Sequence, residues 1–390
     1  MKVYILDALR APVGKLYGSL RDTRPDDLAA WAINNLLHRN KDITIDIVAE
    51  VCFGCGNQAG EDSRNVARMA VLLSQLDKNT PAVTVNRLCA SGIEALIQTA
   101  RAVRLGESDI YMAGGVESMS RSPYVVSRTN EAERHDSMIG WRFTNPFFKE
   151  TDALSMGQTA ELLALQFNIS RKAQDKYALQ SQQKYAFAAK NNLLQQEIVP
   201  ITLPNKHIFD TDEQPRLLNI DVMAALKSPY ATDGSVTLAN SSSLNDGVAA
   251  CAVVSERFIK KHKLQPLVEV VAYAIAATSP NEMGISGAIA AKKLLAQADL
   301  SINDIDIIEL NEAFAAQAIA CIDYLNADAQ KVNILGGSIA VGNPMAMGSM
   351  RLVVSLAHQL HQSTTATYGL AITHSGLGVG IAVLLKKAAI

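Results

Sequence analysis

The sequence predicts an α/β protein. Short apolar runs of strand length alternate with longer runs of helical spacing, and glycine clusters fall at the ends of the strand-like runs. A third observation shapes the prediction: the alternation stops near Ser118 and resumes near Val248. At about 150 residues per domain, 390 residues make two to three domains, or two halves with an insertion.

The elements follow in order. Val3 to Leu6 reads as a strand, and Asp26 to His38 as a helix with Pro25 near its start. Val48 to Gly54 is a second strand, Asn65 to Leu76 a helix, and Ala82 to Val85 a short apolar strand. Ile93, Leu96, Ile97 and Ala100 then mark one face of a helix that begins near Ser91. Ile110 to Ala113 is a buried strand ending in Gly114-Gly115. From Ser118 to Asn245 the segment is rich in Ser, Asn, Arg and Pro and carries Trp141, Phe143, Phe147 and Phe148. It reads as an inserted subdomain of loops around a helix near Arg171 to Lys190. The second half supplies strands at Val248–Val254, Val268–Ala277, Ile305–Leu310, Val332–Leu335, Thr367–Thr373 and Gly380–Leu385. Helices fall at Gly284–Ala298, Ala313–Tyr324 and Met347–Gln362. Similarity between the two halves is too weak to prove a duplication.

Composition excludes several classes. Lys plus Arg is 36 and Asp plus Glu 38, a net charge of −2, so there is no nucleic-acid or anionic-membrane footprint. The greasiest stretch, Leu267 to Thr278, is short and contains Glu269, so no membrane span is expected. Five cysteines, an odd and sparse set, read as reduced thiols in a cytoplasmic protein.

Cys89 is the leading candidate for chemistry. It lies between a strand and an amphipathic helix, in Asn86-Arg87-Leu88-Cys89-Ala90-Ser91-Gly92. A helix N-terminus has partial positive charge and free N–H groups, which favour a thiolate nucleophile. A buried structural cysteine remains the alternative. Cys52-Phe-Gly-Cys55 has neither a second pair nor a neighbouring His, so two small hydrophobes at a strand end are favoured over zinc. Three glycine-rich segments, around Gly114-Gly115, Gly336 to Pro344 and His374 to Gly380, lack the Walker and GxGxxG patterns. They suit close backbone approach to a carbonyl oxygen. Asn311 opens a helix after a strand, as an N-cap or as a residue that fixes a water or carbonyl. Of seven histidines, only His374 lies in a glycine-rich strand-end loop.

In combination these motifs resemble the thiolase family from end to end. The nucleophile motif is matched at 86–92 and the next strand end at Gly114 to Ser120. A coenzyme-A contact loop is matched at Asn240 to Gly247, and a helix-start motif at Asn311-Glu312-Ala313-Phe314. Gly54 to Asp62, Arg64 to Ala70, Ile139 to Phe143, Asn145-Pro146 and Ser155-Met156 are similar to the β-ketoadipyl-CoA thiolases in particular.

The resemblance implies the thiolase fold: two similar βαβαβαββ halves in a five-layered α-β-α-β-α sandwich with an inserted loop domain. The expected units are 1–117 with 247–264, the loop domain 118–246 over the active site, and 265–390. It implies acyl transfer to coenzyme A through a Cys89 acyl-enzyme, as thiolysis of a 3-oxoacyl-CoA or its reverse Claisen condensation, in fatty-acid or aromatic degradation. Ser242, Met156, Arg216, Ala313 and Phe314 would line the coenzyme-A and acyl pocket, with Met283 near the nucleophile. The expected partners are acyl-CoA substrates and further copies of the chain, as homodimer or homotetramer. No metal or other cofactor is expected, coenzyme A being a substrate.

Two positions depart from the family. Its Gly-His-Pro is here Gly342-Asn343-Pro344, and its late Cys-x-Gly is His374-Ser375-Gly376. Asn343 can donate to an oxyanion but cannot take a proton, whereas His374 can. The expectation is one titratable base moved between loops. The N–H groups of Cys89 and Gly376 would form one oxyanion hole, and Asn343 with an Asn311-bound water the other. The alternatives are a condensing enzyme using a malonyl-type donor and a paralogue that binds acyl-CoA without turnover.

Overall fold

The computed structural model describes residues 1–57, 60–126, 134–136, 145, 147–149, 154–216 and 218–389. The first run of elements is β1 (Val3–Arg10), β2 (Gly14–Lys15), α1 (Pro25–Arg39), β3 (Val51–Gly54), α2 (Val66–Leu73), β4 (Ala82–Val85), α3 (Ser91–Leu105) and β5 (Ile110–Ser118). There follow β6 (Tyr124–Val126), β7 (Arg134–Asp136), α4 (Met156–Gln166), α5 (Arg171–Lys190), β8 (Ile201–Thr202), β9 (Ile208–Phe209) and α6 (Ile220–Ala225). The last run opens with β10 (Asn245–Ser255), α7 (Glu256–His262), β11 (Val268–Ala277), α8 (Ser286–Gln297) and β12 (Ile307–Leu310). It closes with α9 (Ala315–Leu325), α10 (Ser338–Val341), α11 (Met345–Gln362), β13 (Tyr368–His374) and β14 (Val379–Lys387).

Two half-sheets repeat one pattern. In the first, the order is β4-β3-β5-β10-β1, with β3 parallel to both β4 and β5, and antiparallel pairs from β5 onward. In the second, β12-β13-β14-β11 runs parallel and then antiparallel in the same sequence. They join along a seam of two residue pairs, Tyr4 with Glu269 and Ile5 with Val268. The duplication that sequence similarity could not prove is thus legible in strand order.

Alternation along each strand sorts side chains into three helical layers. Leu6, Leu9, Phe53, Met112 and Val248 pack outward against α1 and α2. Ile5, Cys52, Ala113 and Cys251 face the middle layer of α3 and α11, as do Ile307, Ala371 and Val383 from the other half-sheet. Ile308, Leu310, Leu370 and Ala382 close on α8 and α9. The result is the five-layered sandwich, whose two central helices are sheathed by both half-sheets.

β5 and β10 pair directly from Ser118–Asp246 to Ile110–Val254, so residues 119–244 are an excursion from the first half-sheet. Four local expectations change, the first being that Asn311 does not open or cap a helix, since α9 begins at Ala315 with Phe314 as its N-cap. Gly114 and Gly115 lie inside β5, not at its end. β1 runs on to Arg10, whose guanidinium is buried between Glu197 and Asp212 at 2.8 and 2.7 Å. The expected strand Val332–Leu335 shrinks to one bridge with Ile308, because Asn333 turns the chain at φ 45°. Trp141 and Phe143, with residues 139–144, lie outside the described residues.

Candidate active site

The reactive candidates lie at strand ends and helix starts, Cys89 and Asn343 before the two central helices. Cys89 follows β4, Asn311 follows β12, His374 ends β13, and Asn343 precedes α11. In open α/β sheets, ligands bind at the carboxyl ends of strands.

The turn that carries Cys89 is strained and fixed. Leu88 has φ 51°, and Ser91 Oγ donates to Leu88 O (2.6 Å) while accepting the Arg87 N–H (2.7 Å). The first turns of α3 and α11 touch: a Cβ on Gly92 would collide with the carbonyl oxygen of Ala346. The N–H groups of Gly92 and Ile93 donate to Ser349 Oγ at 3.1 and 3.4 Å. These two amides are therefore occupied by the hydroxyl, while the positive end of the helix field still favours a thiolate at this place. Cys89 is half-buried, whereas the other four cysteines are buried. Burial pushes the Cys52 thiol up to about 12 and that of Cys321 up to about 11, and it raises Cys55 and Cys251 strongly.

Asn343 is held through its main-chain N–H, which donates to Asn245 Oδ1 (3.1 Å) and Ser243 O (3.2 Å). Its Oδ1 is buried with no hydrogen-bond partner among the described residues. Asn311 Oδ1 accepts from Ser338 Oγ at 3.0 Å, which leaves its NH₂ as the donor end. His374 is 2% exposed, and burial pulls its imidazole down to about 4. The ring is neutral across the neutral pH range.

A cavity of about 280 Å³ brings Cys89, Asn343 and Gly376 together with Met156, Ser242, Ala313 and Phe314. Met156 opens α4, which Ser155 caps in a reciprocal box with Gln158. Ser242 N–H donates to Ala313 O at 2.9 Å, tying the 240–245 loop to the start of α9. Leu88 of the nucleophile motif and Ser243 and Leu244 of the coenzyme-A contact loop also line the cavity, as do Tyr230 and Met345, which were not foreseen. Tyr230 packs edge-on against Phe314, with ring centroids 6.3 Å apart, from a segment with no periodicity to announce it.

Four predicted residues stand off the wall. His374 and Asn311 are buried and do not line it, and Met283 sits in a buried turn. Arg216 borders a separate cleft with Leu179, Gln182 and Pro215, and burial lowers its proton affinity. Among the described residues no group of His, Cys, Asp and Glu could hold a metal ion, and no helix is long and apolar enough to cross a membrane.

The family model for the thiolase N-terminal domain matches residues 3–257, and that for the thiolase C-terminal domain matches residues 264–387. The chain is 43% identical to the beta-ketoadipyl-CoA thiolase of Pseudomonas aeruginosa over 398 residues, covering 99% of each chain. It is 42% identical to the 3-oxoadipyl-CoA/3-oxo-5,6-dehydrosuberyl-CoA thiolase of Escherichia coli over 401 residues, again with 99% of each covered. Among solved structures, the Bacillus anthracis acetyl-CoA acetyltransferase superposes with a TM-score of 0.94 at 34% identity, covering 99% of both chains. Human mitochondrial 3-ketoacyl-CoA thiolase in complex with CoA superposes at 0.93 with 33% identity, covering 99% of this chain and 98% of that one.

Proposed function

The chain belongs to the thiolase family, and from that premise we propose that it cleaves 3-oxoacyl-CoA by thiolysis, or runs the reverse condensation, through an acyl-enzyme on Cys89. The observation that carries the reading is the meeting of Cys89, Asn343 and Gly376 in the wall of one largely apolar cavity. The identity to β-ketoadipyl-CoA thiolases supports a 3-oxoadipyl-type substrate.

In the proposed cycle His374 takes the Cys89 proton, and the thiolate attacks the 3-oxo carbon. The Cα–Cβ bond breaks, the acyl group stays on sulfur, and His374 returns the proton to the leaving acetyl-CoA carbanion. Coenzyme A then gives its thiol proton to His374 and attacks the acyl-enzyme. Acyl-CoA departs, and His374 reprotonates Cys89. The main-chain N–H groups of Cys89 and Gly376 serve one oxyanion, while Asn343 and an Asn311-bound water serve the other. Support for His374 comes from its place at the end of β13, two residues before Gly376 of the cavity wall, whereas burial, which lowers its proton affinity, works against the role. Ser242, Met156, Ala313 and Phe314 take the acyl and pantetheine chains, with Met283 behind them and Arg216 toward the outer end of coenzyme A. No cofactor takes part in these steps.

Three further assignments complete the proposal: the division into 1–117 with 247–264, 118–246 and 265–390; a homodimer or homotetramer; and a cytoplasmic setting, supported by free cysteines.

The test is intact-mass measurement after incubation with acetyl-CoA, with Cys89→Ala as control. It is followed by acetoacetyl-CoA and 3-oxoadipyl-CoA assays on the parent, Asn343→His, His374→Cys and the double variant. An acylated and active parent is expected. A parent silent across about pH 6 to 9, beside an active double variant, would overturn the moved-base reading. Turnover with malonyl-CoA but not acetyl-CoA would assign the decarboxylating reaction instead.

A further inference from the structure

The Gly-Gly-Val-Glu-Ser-Met-Ser stretch at 114–120 takes no part in the chemistry above, yet its Glu117 is 1% exposed at the junction of the two halves. Glu117 Oε2 accepts the N–H of Gly56 at 2.9 Å and that of Ala346 at 3.3 Å. Oε1 accepts the N–H of Asn57 at 2.9 Å and lies 3.6 Å from Cys55 Sγ. Burying a carboxyl carries a desolvation cost, which is tolerable only when hydrogen bonds compensate for it. Here three main-chain donors from two separate segments converge on one side chain.

Both segments lead to reacting groups. Gly56 O accepts from Asn86 Nδ2 at 3.0 Å, and Asn86 Oδ1 accepts the N–H of Leu88 at 2.8 Å. Leu88 is the residue in the left-handed conformation immediately before Cys89. The approach is close: a Cβ on Gly56 would lie 3.4 Å from Leu88 Cα and 2.7 Å from Met345 Cε. On the other side, Ala346 is in the first turn of α11, three residues after Asn343.

We propose that Glu117 is a positioning residue that sets the separation between Cys89 and Asn343. It braces the nucleophile's turn through Gly56 and Asn86, and the start of α11 through Ala346. This rests on the reading of Asn343 as an oxyanion donor. The demand is steep, because misplacing reacting groups by about 1 Å can cost on the order of a hundredfold in rate.

Three variants test it: Glu117→Gln, Asn86→Ala and the two together. Glu117→Gln keeps the shape but faces an NH₂ group toward N–H donors. Each single change is expected to lower kcat for acetoacetyl-CoA thiolysis by roughly ten- to a hundredfold while leaving KM for coenzyme A unchanged. The double variant should be no worse than the poorer single, since both cut one connection. Amide hydrogen exchange supplies a readout independent of turnover. In Glu117→Gln it should quicken both in 86–92 and in 343–349, and in Asn86→Ala only in 86–92. Parental kcat in Asn86→Ala, multiplicative losses in the double variant, or unchanged exchange in either segment of Glu117→Gln would overturn the inference. A parent silent toward acetoacetyl-CoA would count against the proposed reaction alone, and the exchange measurement would still decide the role of Glu117.

Discussion

Cys89 is the one cysteine of five that is not buried, and it sits at the head of a fifteen-residue helix. Limiting iodoacetamide with mass mapping should therefore label Cys89 first; preferential labelling of Cys52 or Cys321 would refute its role as nucleophile. The altered pair makes a second prediction. His374→Ala should cost about 10²–10⁴ in turnover, the range for lost general acid–base catalysis. Asn343→Ala should cost roughly 10²–10³, the range for one oxyanion donor. His374 also has a signature in stability. Its folded value is about 4, against an ordinary value of about 6.5. As pH falls from about 6.5 to 4 the unfolded chain takes up a proton that the folded chain refuses, so stability is lost through that window, about 3 kcal/mol in full. Burial pushes Glu117 and Glu309 up to about 7, so their contribution has the opposite sign: the folded state holds protons that the unfolded state releases, and stability falls as pH rises toward 7. Comparing the parent with His374→Ala cancels the carboxyls. The parent should lose more Tm between pH 7 and pH 5 than the variant, and equal losses would mean that the imidazole is not held neutral by burial.

Between elements, the decisive contact is α3 against α11. Ala is favoured over Gly in a helix by about 1 kcal/mol, yet a Cβ at position 92 meets backbone that cannot turn aside. Overpacking of this kind costs about 1–3 kcal/mol. Gly92→Ala should thus lower the urea midpoint and reduce turnover together, and a more stable, fully active variant would contradict the contact. Elements of this kind were the legible part of the sequence. The strand Ala82–Val85 and the helix Arg171–Lys190 fall at the bounds read from the sequence. The illegible part depends on distant partners. Arg10 stays in a strand because Glu197 and Asp212, far along the chain, neutralise it. Tyr230 enters the cavity from an aperiodic loop, and Asn333 breaks an apolar run by bonding Leu310 and Glu312. Motifs picked out Cys89, Asn343 and Gly376, which share the cavity, but also His374 and Asn311, which are buried and do not line it.

At the scale of the whole molecule, β4 is left as an edge of the first half-sheet, with Val83 39% exposed. A bare apolar edge invites pairing with a second copy. Light scattering at micromolar concentration should report a dimer or tetramer, and a monomer would end that proposal. The seam and strand order also bear on how the protein is made. β14 is threaded last yet lies in the interior of its half-sheet, paired with β11 over nine positions and with β13 over seven. Cys89 leaves the ribosome well before β14, the strand that anchors the turn bearing Gly376. Domains fold as they emerge, N-terminal part first. Until β14 has emerged, the second half-sheet stays open between β11 and β13, and the turn bearing Gly376 lacks the strand it pairs into. In the proposed cycle the cavity is therefore completed by β14, a central strand of the second half-sheet, and not by the element that carries the nucleophile.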